Sequence, residues 1–307
     1  MSTRRRHAAL AVVLTLIAAP ALIAAVSAVR YHATNRSTHS MVSGGLEREY
    51  SLHVPVGYDG SHPVPLVISM HGAGLWPAAQ MMISRWNDVA DSVGAIVVYP
   101  SAIRGGGPVA WRATGGSPAT PDVRFIGELI DTLSARYRID PSRIYADGVS
   151  NGGGMAFVLS CTMSGRIAAV GMVGPAHLLP FSACTDTTPV PMMHIHGTED
   201  TAAPYNGGSS WVARQPFANI PRWVASWAQR NKCKPTPRDS AVTPNVVRRS
   251  YDGCADGADV VLYTIHGAGH TWPGGTPLAE WFVGTTSSEM DASLELWRFF
   301  NQHPLGK

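Results

Sequence analysis

The segment from Arg143 to Phe157 constrains the fold more than any other part of the chain. It reads Arg-Ile-Tyr-Ala-Asp-Gly-Val-Ser-Asn-Gly-Gly-Gly-Met-Ala-Phe, so an apolar run meets Gly-x-Ser-x-Gly and then passes into helix-forming residues. This pattern predicts a sharp strand-to-helix turn with Ser150 at its apex. Gly148 and Gly152 flank the serine because a side chain there would clash as the backbone folds back. Ser150 is therefore a candidate nucleophile, which requires a histidine base, an orienting acid and backbone donors for an oxyanion.

The N-terminal residues predict an export signal or a membrane anchor. Residues 1–6 contain three arginines, and residues 8–29 are apolar apart from three positions. Val26-Ser27-Ala28 offers a small-residue cleavage site, although the apolar run is long enough to span a bilayer if it stays uncut. We assign residues 1–28 to this segment, 29–45 to a linker and 46–307 to one domain.

Charge and histidine spacing limit the partners of the chain. There are 24 Lys and Arg residues against 21 Asp and Glu, and three of the arginines precede residue 28, where there is no acid. The remainder is close to neutral, which argues against a nucleic-acid partner. His194 and His196 share one side of a predicted strand, but without a third ligand at a recognisable spacing we favour a hydrogen-bonded pair over a metal site. We expect no cofactor and no stable protein partner.

The cysteines lie beyond the N-terminal segment, at Cys161, Cys184, Cys233 and Cys254. An even number in an exported chain indicates disulfides, although four buried free thiols are the alternative. Three pairings are possible. We favour Cys161–Cys184 and Cys233–Cys254, because each pair closes a short loop and neither has the Cys-x-x-Cys spacing of a zinc or redox site.

The rest of the chain alternates predicted strands with predicted helices. This order indicates an α/β fold with a mostly parallel central sheet and helices on both faces. We expect Asp122 to cap the helix that follows it, and Trp223 and Trp227 to face the core. Strands are predicted at 48–54, 65–70, 95–99, 144–146, 168–173, 190–195, 246–251 and 260–265, and helices at 78–93, 123–137, 221–230 and 287–301.

Three further features follow predicted strands. Together with Ser150 they have the chain order of a Ser-Asp-His catalytic triad that is preceded by an oxyanion turn. An acid at Asp200 and a histidine at His270 come after Ser150, and a glycine-rich turn containing Ala73 precedes it. In this interpretation His270 is the base and Asp200 orients it, while the N–H groups of Ala73 and Asn151 bind the oxyanion. Two alternatives stay open: Glu199 as the acid and His266 as the base.

On these residues the chain resembles the esterase family that contains polyhydroxybutyrate depolymerases and feruloyl-type esterases. The resemblance implies an α/β-hydrolase fold, a secreted serine esterase and the disulfide pairing given above. The chain departs from the family at Ala73, where cysteine is usual, and at His266, where glycine is usual. The matching segments are His71-Gly-Ala-Gly74, Val97-Val-Tyr-Pro100, Arg143 to Gly153, His196-Gly-Thr-Glu-Asp200 with Pro204-Tyr205, and Gly269-His-Thr-Trp-Pro-Gly274.

Tryptophans in predicted loops bear on the substrate. A flat apolar surface beside the nucleophile suits a polyester chain or an aromatic acyl group, although each ring taken alone is expected to pack its loop. We select Trp272, Tyr205 and Trp111 as candidate substrate contacts for hydroxyalkanoate or feruloyl-type esters. An acyltransferase with the same triad and a non-catalytic binding protein are the competing hypotheses. The loop tryptophans are Trp76, Trp111, Trp211, Trp272 and Trp281.

Overall fold

The computed structural model describes residues 37–103, 109–113, 120–184, 186–213 and 216–306. The predicted signal or anchor at residues 1–28 lies outside these ranges, as does most of the loop between Arg104 and Pro121. Within the described ranges, no helix combines the length and the apolar character needed to cross a bilayer.

The described residues build one ten-stranded sheet in the order β1-β2-β4-β3-β5-β6-β7-β10-β9-β8. The six strands from β4 to β10 in this order pair in parallel, and antiparallel strands complete both edges. The sheet is therefore mostly parallel, as predicted. The strands are β1 (His39–Ser43), β2 (Leu46–His53), β3 (Val64–Met70), β4 (Ile96–Pro100), β5 (Ile139–Val149), β6 (Ala169–Val173), β7 (Met192–Gly197), β8 (Arg238–Thr243), β9 (Val246–Tyr251) and β10 (Val260–Ile265).

Helices cover both faces of the sheet, which explains why its central strands are continuous apolar runs. The described helices are α1 (Pro77–Ser84), α2 (Trp86–Val93), α3 (Pro121–Arg136), α4 (Asn151–Thr162), α5 (Ile220–Arg230), α6 (Glu280–Val283) and α7 (Ala292–Phe300). In β3, Leu66 and Ile68 belong to one buried cluster with α3, α4 and α5, while Val67 belongs to the other cluster with α1, α2 and α7.

Several predicted boundaries were wrong. The predicted linker at 29–45 contains β1, whose alternating polar residues pair with β2 although they form no apolar run. The single predicted helix at 78–93 is two helices, because Arg85 adopts a left-handed conformation with φ 54°. The last helix begins at Ala292 rather than at 287, and β8 was not predicted because nearly all of its residues are exposed.

The disulfides and the tryptophan stripe agree with the predictions. Cys161 is bonded to Cys184 and Cys233 to Cys254, so every cysteine in the sequence is paired. Trp223 and Trp227 on α5 are 5% and 0% exposed, as expected of core residues.

A buried ion pair joins the first long strand to α3. The Arg48 Nη2 atom lies 2.8 Å from Asp122 Oδ1, and the two side chains are 3% and 0% exposed. Arg48 also donates to the Ser101 carbonyl and stacks over Phe125, with Cζ 3.9 Å from the ring centroid. The other Asp122 oxygen accepts from the Arg112 N–H at 2.9 Å. The expected capping role of Asp122 was therefore wrong: its carboxylate balances a buried guanidinium and holds the loop that precedes α3.

We expect Asp122→Ala to lower the free energy of unfolding by about 3–5 kcal/mol, because it leaves the Arg48 charge buried without a counter-ion. The matched control is Asp131→Ala, which removes the partner of Arg166 in a pair whose side chains are 40% and 68% exposed. That change should cost less than about 1 kcal/mol. Urea unfolding of both variants measures the two losses, and equal losses would contradict this account.

Candidate active site

Ser150 is the only residue between the end of β5 and the start of α4. Its φ of 54° and ψ of −120° lie in a backbone region that residues other than glycine rarely adopt. Such a conformation persists only where surrounding structure imposes it. Here the Ser150 N–H donates to the Val173 carbonyl at 2.9 Å, and the Ser150 carbonyl accepts from Gly154 and Ala176. The structure thus contains the predicted strained turn with a serine at its apex.

The two glycines of the motif are required by close contacts. A Cβ atom at Gly148 would lie 2.5 Å from the carbonyl carbon of Gly152, and one at Gly152 would lie closer still to the Met70 carbonyl oxygen. Since Met70 ends β3, the turn can approach that strand only when neither position carries a side chain.

The predicted acid and base contact one another. Asp200 follows β7 and His270 follows β10, and these two strands are parallel neighbours, so the residues after them meet at one edge of the sheet. His270 Nδ1 lies 2.7 Å from Asp200 Oδ2. Because the carboxylate accepts, Nδ1 carries the hydrogen, and Nε2 is left free to take a proton.

Backbone groups hold the Asp200 carboxylate in place. Its Oδ1 atom accepts from the N–H groups of Ala202 and Ala203 at 2.9 and 2.7 Å. Burial alone would raise the pKa of Asp200, but the charge interaction with His270 and the hydrogen bonds from His196 and His270 lower that pKa well below its ordinary value. The acid is therefore ionised throughout the range in which an imidazole titrates.

Gly174 connects Ser150 to the contact between Asp200 and His270. It directly follows Val173, whose carbonyl accepts from Ser150, and a Cβ atom at Gly174 would lie 3.2 Å from both Asp200 Oδ2 and His270 Nδ1. The serine, acid and base therefore gather at the carboxyl ends of neighbouring parallel strands. The rival residues do not join them: Glu199 and His266 are exposed, and within the described residues neither side chain contacts Ser150, Asp200 or His270.

The glycine-rich turn after β3 lies beside the serine. A Cβ atom at Gly72 would be 3.4 Å from Ser150 Cβ. Ala73 is exposed, and its N–H makes no hydrogen bond within the described part of the chain. Asn151 is the first residue of α4, so its N–H has no carbonyl partner one turn earlier. Both predicted oxyanion donors therefore lie next to Ser150 and can donate to a ligand oxygen.

His71 stiffens this turn as a neutral imidazole. Its Nε2 atom accepts from the Ala102 N–H at 3.1 Å, which assigns the hydrogen to Nδ1 and makes Nδ1 the donor to the Gly72 carbonyl at 2.8 Å. Burial lowers the pKa of His71 to about 4. The ring therefore carries no charge near the oxyanion donors at neutral pH.

Two of the three candidate substrate contacts were wrong, because their rings are buried. Trp111 is 3% exposed and donates its indole N–H to the His71 carbonyl, and its backbone N–H donates to the Asn151 side chain at 2.6 Å. Trp272 is 1% exposed and donates to Ser293. Tyr205 is half-buried, with its hydroxyl 2.7 Å from Thr264. Trp111 and Trp272 support the site and do not line it.

A different set of aromatic residues is exposed near the base. Trp211, Trp281 and Phe282 are 60%, 88% and 51% exposed, and the rings of Trp211 and Phe282 lie 5.1 Å apart. Val283, which directly follows Phe282, accepts from the His270 N–H at 2.6 Å. We call these three rings the aromatic rim. The prediction included both tryptophans among the loop residues but missed Phe282, which no motif marks.

His194 and His196 form the expected hydrogen-bonded pair. His194 Nε2 lies 2.9 Å from His196 Nδ1, and both rings are buried. Within the residues that the structure describes, no cluster of three or more His, Cys, Asp or Glu side chains could hold a metal ion.

With this geometry established, comparison with known proteins identifies the family. The family model described as Esterase PHB depolymerase matches residues 48–203, which is half of the chain and includes the serine turn. The chain belongs to this family. Among its relatives, Feruloyl esterase B of Piromyces equi is 30% identical over 234 residues, which cover 73% of this chain but only 42% of that protein. NocK of Nocardia uniformis subsp. tsuyamanensis, a candidate esterase by its description, is 30% identical and is covered over 80% of its length.

A solved structure supports the fold assignment. The acetyl xylan esterase from Aspergillus awamori superposes with a TM-score of 0.55 at 17% identity, over 73% of this chain and 89% of that one. At this identity the comparison shows a shared fold, which is the α/β-hydrolase fold that the sequence predicted.

A carboxyl group beneath the serine gives the fold a pH dependence. Asp147 on β5 is buried, and its Oδ1 atom accepts from the Ser69 hydroxyl at 2.6 Å. Burial raises the pKa of Asp147 to about 8, although the Ser69 hydrogen bond opposes the shift. The folded protein therefore keeps this proton up to about pH 8, whereas the unfolded chain releases it near pH 4. Between those values the contribution of Asp147 to stability falls as the pH rises.

We expect Asp147→Asn to remove this loss, because an amide keeps the acceptor for Ser69 and cannot ionise. The Tm of the variant minus the Tm of the wild-type protein should increase from pH 5 to pH 8 and then level off. Thermal unfolding followed by circular dichroism at each pH measures this difference. A difference that stays constant over the range would show that Asp147 does not carry the proton.

Proposed function

We propose that the chain is an exported serine esterase that cleaves carboxylic esters through an acyl-enzyme on Ser150. One observation carries the proposal: the 2.7 Å contact between Asp200 Oδ2 and His270 Nδ1, at the strand ends beside a serine held at φ 54°. Membership of an esterase family agrees with it.

The chemistry follows from the atoms at the site. His270 Nε2 takes the Ser150 hydroxyl proton while the oxygen attacks the ester carbonyl. The N–H groups of Ala73 and Asn151 bind the oxyanion that forms, and the dipole of α4 adds positive potential at Asn151. Asp200 stabilises the imidazolium, which then protonates the leaving alcohol. His270 then takes a proton from water, which attacks the acyl group. This step releases the carboxylic acid product and regenerates the free Ser150 hydroxyl.

Two independent features of the chain support export. The N-terminal residues carry the basic and apolar pattern of a signal, with a small-residue cleavage site at residues 26–28. The domain contains two disulfides and no free cysteine, as is typical of proteins that mature in an oxidising compartment.

The proposed substrates are feruloyl-type or hydroxyalkanoate esters. Feruloyl esterases are among the relatives, and the aromatic rim offers rings on which an aromatic acyl group or an apolar polyester chain would stack. The rim takes over the role that was predicted for Trp111 and Trp272. The Val283 carbonyl, next to Phe282, accepts from the His270 N–H, and this contact between the rim segment and the loop of His270 supports a role of the rim in ester binding.

We expect Asp200→Asn, His270→Ala and Ser150→Ala each to lower kcat by several powers of ten on p-nitrophenyl esters, with modest changes in KM. The matched controls are Glu199→Gln and His266→Ala, which alter neighbouring residues of the same kind that lie outside the site. Both controls should keep most of the activity. If the controls lost activity while Asp200→Asn or His270→Ala kept it, the assigned acid and base would be wrong.

Mapping a fluorophosphonate adduct tests the nucleophile without a choice of ester. The label should reside on the peptide that contains Ser150 and should be absent from Ser150→Ala. A label on another serine would refute the assignment.

We expect Trp281→Ala and Phe282→Ala to lower kcat/KM for methyl ferulate and for hydroxybutyrate oligomers by roughly 2- to 10-fold, the size of one lost stacking contact. Hydrolysis of p-nitrophenyl acetate, whose acyl group is too short to reach the rim, should change less than twofold. The control is Val56→Ala, which removes a side chain that is 92% exposed in the connection between β2 and β3. Equal losses on long and short esters would exclude the rim from substrate binding.

A further inference from the structure

Imidazole rings continue from the catalytic acid into the interior. His196 Nε2 lies 3.3 Å from Asp200 Oδ2, on the same oxygen that receives His270. His196 Nδ1 lies 2.9 Å from His194 Nε2. The ring of His177 is 5.5 Å from that of His194 and stacks on Trp223 at 3.6 Å. His196 is thus the one residue of this histidine chain that contacts the acid.

The hydrogen bonds fix the positions of the protons. His196 Nε2 is 2.7 Å from the Ala203 carbonyl, which can only accept, so this nitrogen carries a hydrogen. If His194 carried its hydrogen on Nδ1, that buried donor would have no partner, since His194 Nδ1 makes no hydrogen bond within the described residues. The hydrogen therefore sits on His194 Nε2 and points to His196 Nδ1. Both rings are then neutral, with every N–H satisfied.

His196 also holds the turn that carries the acid. The N–H of Ala203 donates to Asp200 Oδ1 at 2.7 Å, and the carbonyl of the same residue accepts from His196. The peptide groups around Ala203 are therefore fixed from both sides. A shift of this turn would change the direction in which Asp200 Oδ2 faces His270.

We propose that His196 is a positioning residue for Asp200, whose neutral ring donates from Nε2 to the Ala203 carbonyl and so aims the carboxylate at His270. The proposal rests on the proposed triad and assigns to it a fourth residue. The hydrogen bond from His194 Nε2 occupies Nδ1 of His196 and so fixes the tautomer in which Nε2 is the donor.

A pair of amide substitutions separates the two nitrogens of His196. The Gln amide nitrogen can occupy the place of Nε2, whereas the shorter Asn reaches only the place of Nδ1. His196→Gln keeps the donor to Ala203, and we expect kcat within about threefold of wild type. His196→Asn keeps the contact with His194 but loses that donor, and we expect kcat to fall roughly 10- to 100-fold with KM within twofold, because small displacements at a catalytic group cost this much.

Two further measurements make the test specific to Asp200. Rates are expressed per site labelled by fluorophosphonate, so that incomplete folding of a variant does not lower them. The downfield proton resonance of the His270–Asp200 hydrogen bond, identified by its loss in Asp200→Asn, should shift in His196→Asn and return in His196→Gln. His177→Phe, which alters an imidazole that does not touch Asp200, is the control and should leave kcat and the resonance unchanged.

The outcomes are distinguishable. Equal kcat values for the Gln and Asn variants, a loss confined to Gln, or an unmoved resonance in His196→Asn would overturn the role of His196. A loss of similar size in His177→Phe would also overturn it. Full activity in Ser150→Ala would instead refute the proposed function, and the resonance would then still report whether His196 orients Asp200.

Discussion

The close passage of the serine turn over the end of β3 is the constraint on which the rest of the site depends. Gly148 and Gly152 allow the backbone to approach the Met70 carbonyl, and no residue with a Cβ atom could replace them without moving β3 or α4. That approach places the start of α4 beside the turn that follows β3. Both proposed oxyanion donors are consequently positioned by one steric condition, and the strained φ of Ser150 is imposed by the same crossing.

Hydrogen bonds between buried polar groups connect the serine turn to more distant parts of the fold. Trp111 bonds to both the His71 carbonyl and the Asn151 side chain, so one residue connects the oxyanion turn to the start of α4. Arg112, the next residue, donates to Asp122, which is paired with Arg48. A continuous set of satisfied hydrogen bonds therefore runs from the antiparallel strand β2, the second strand of the sheet, to the serine turn. Because partly satisfied buried networks are costly, such a set favours a single arrangement of the loop.

The sequence was most informative where a steric or chemical rule leaves few alternatives. The Gly-x-Ser-x-Gly motif, the apolar runs of the parallel strands and the spacing of the cysteines each predicted what the structure contains. The edges were predicted poorly, because β1 and β8 are held by pairing with a neighbour and their side chains show no apolar period. The role of Asp122 in an ion pair could not be predicted, because its partner Arg48 is distant in sequence.

Long-range packing also explains what was missed around the site. A tryptophan beside the proposed catalytic histidine looks the same in sequence whether it faces solvent or the core, and Trp272 faces the core. His196 carries no marker for its contact with Asp200, because that contact depends on the turn geometry between residues 200 and 203.

The separation between strand ends and loops has a consequence for redesign. Ser150, Asp200 and His270 lie within five residues of the ends of parallel strands, whereas the aromatic rim belongs to segments that extend well beyond those strands. Hydrogen bonds to neighbouring strands fix the ends of parallel strands. The positions of these ends therefore depend little on the length and course of the loops that connect the strands. Under the proposed function, segments around Trp211 and between Leu278 and Phe282 are accordingly the places where foreign loops can be grafted to change the accepted ester, provided that Val283, whose carbonyl accepts from the His270 N–H, is retained.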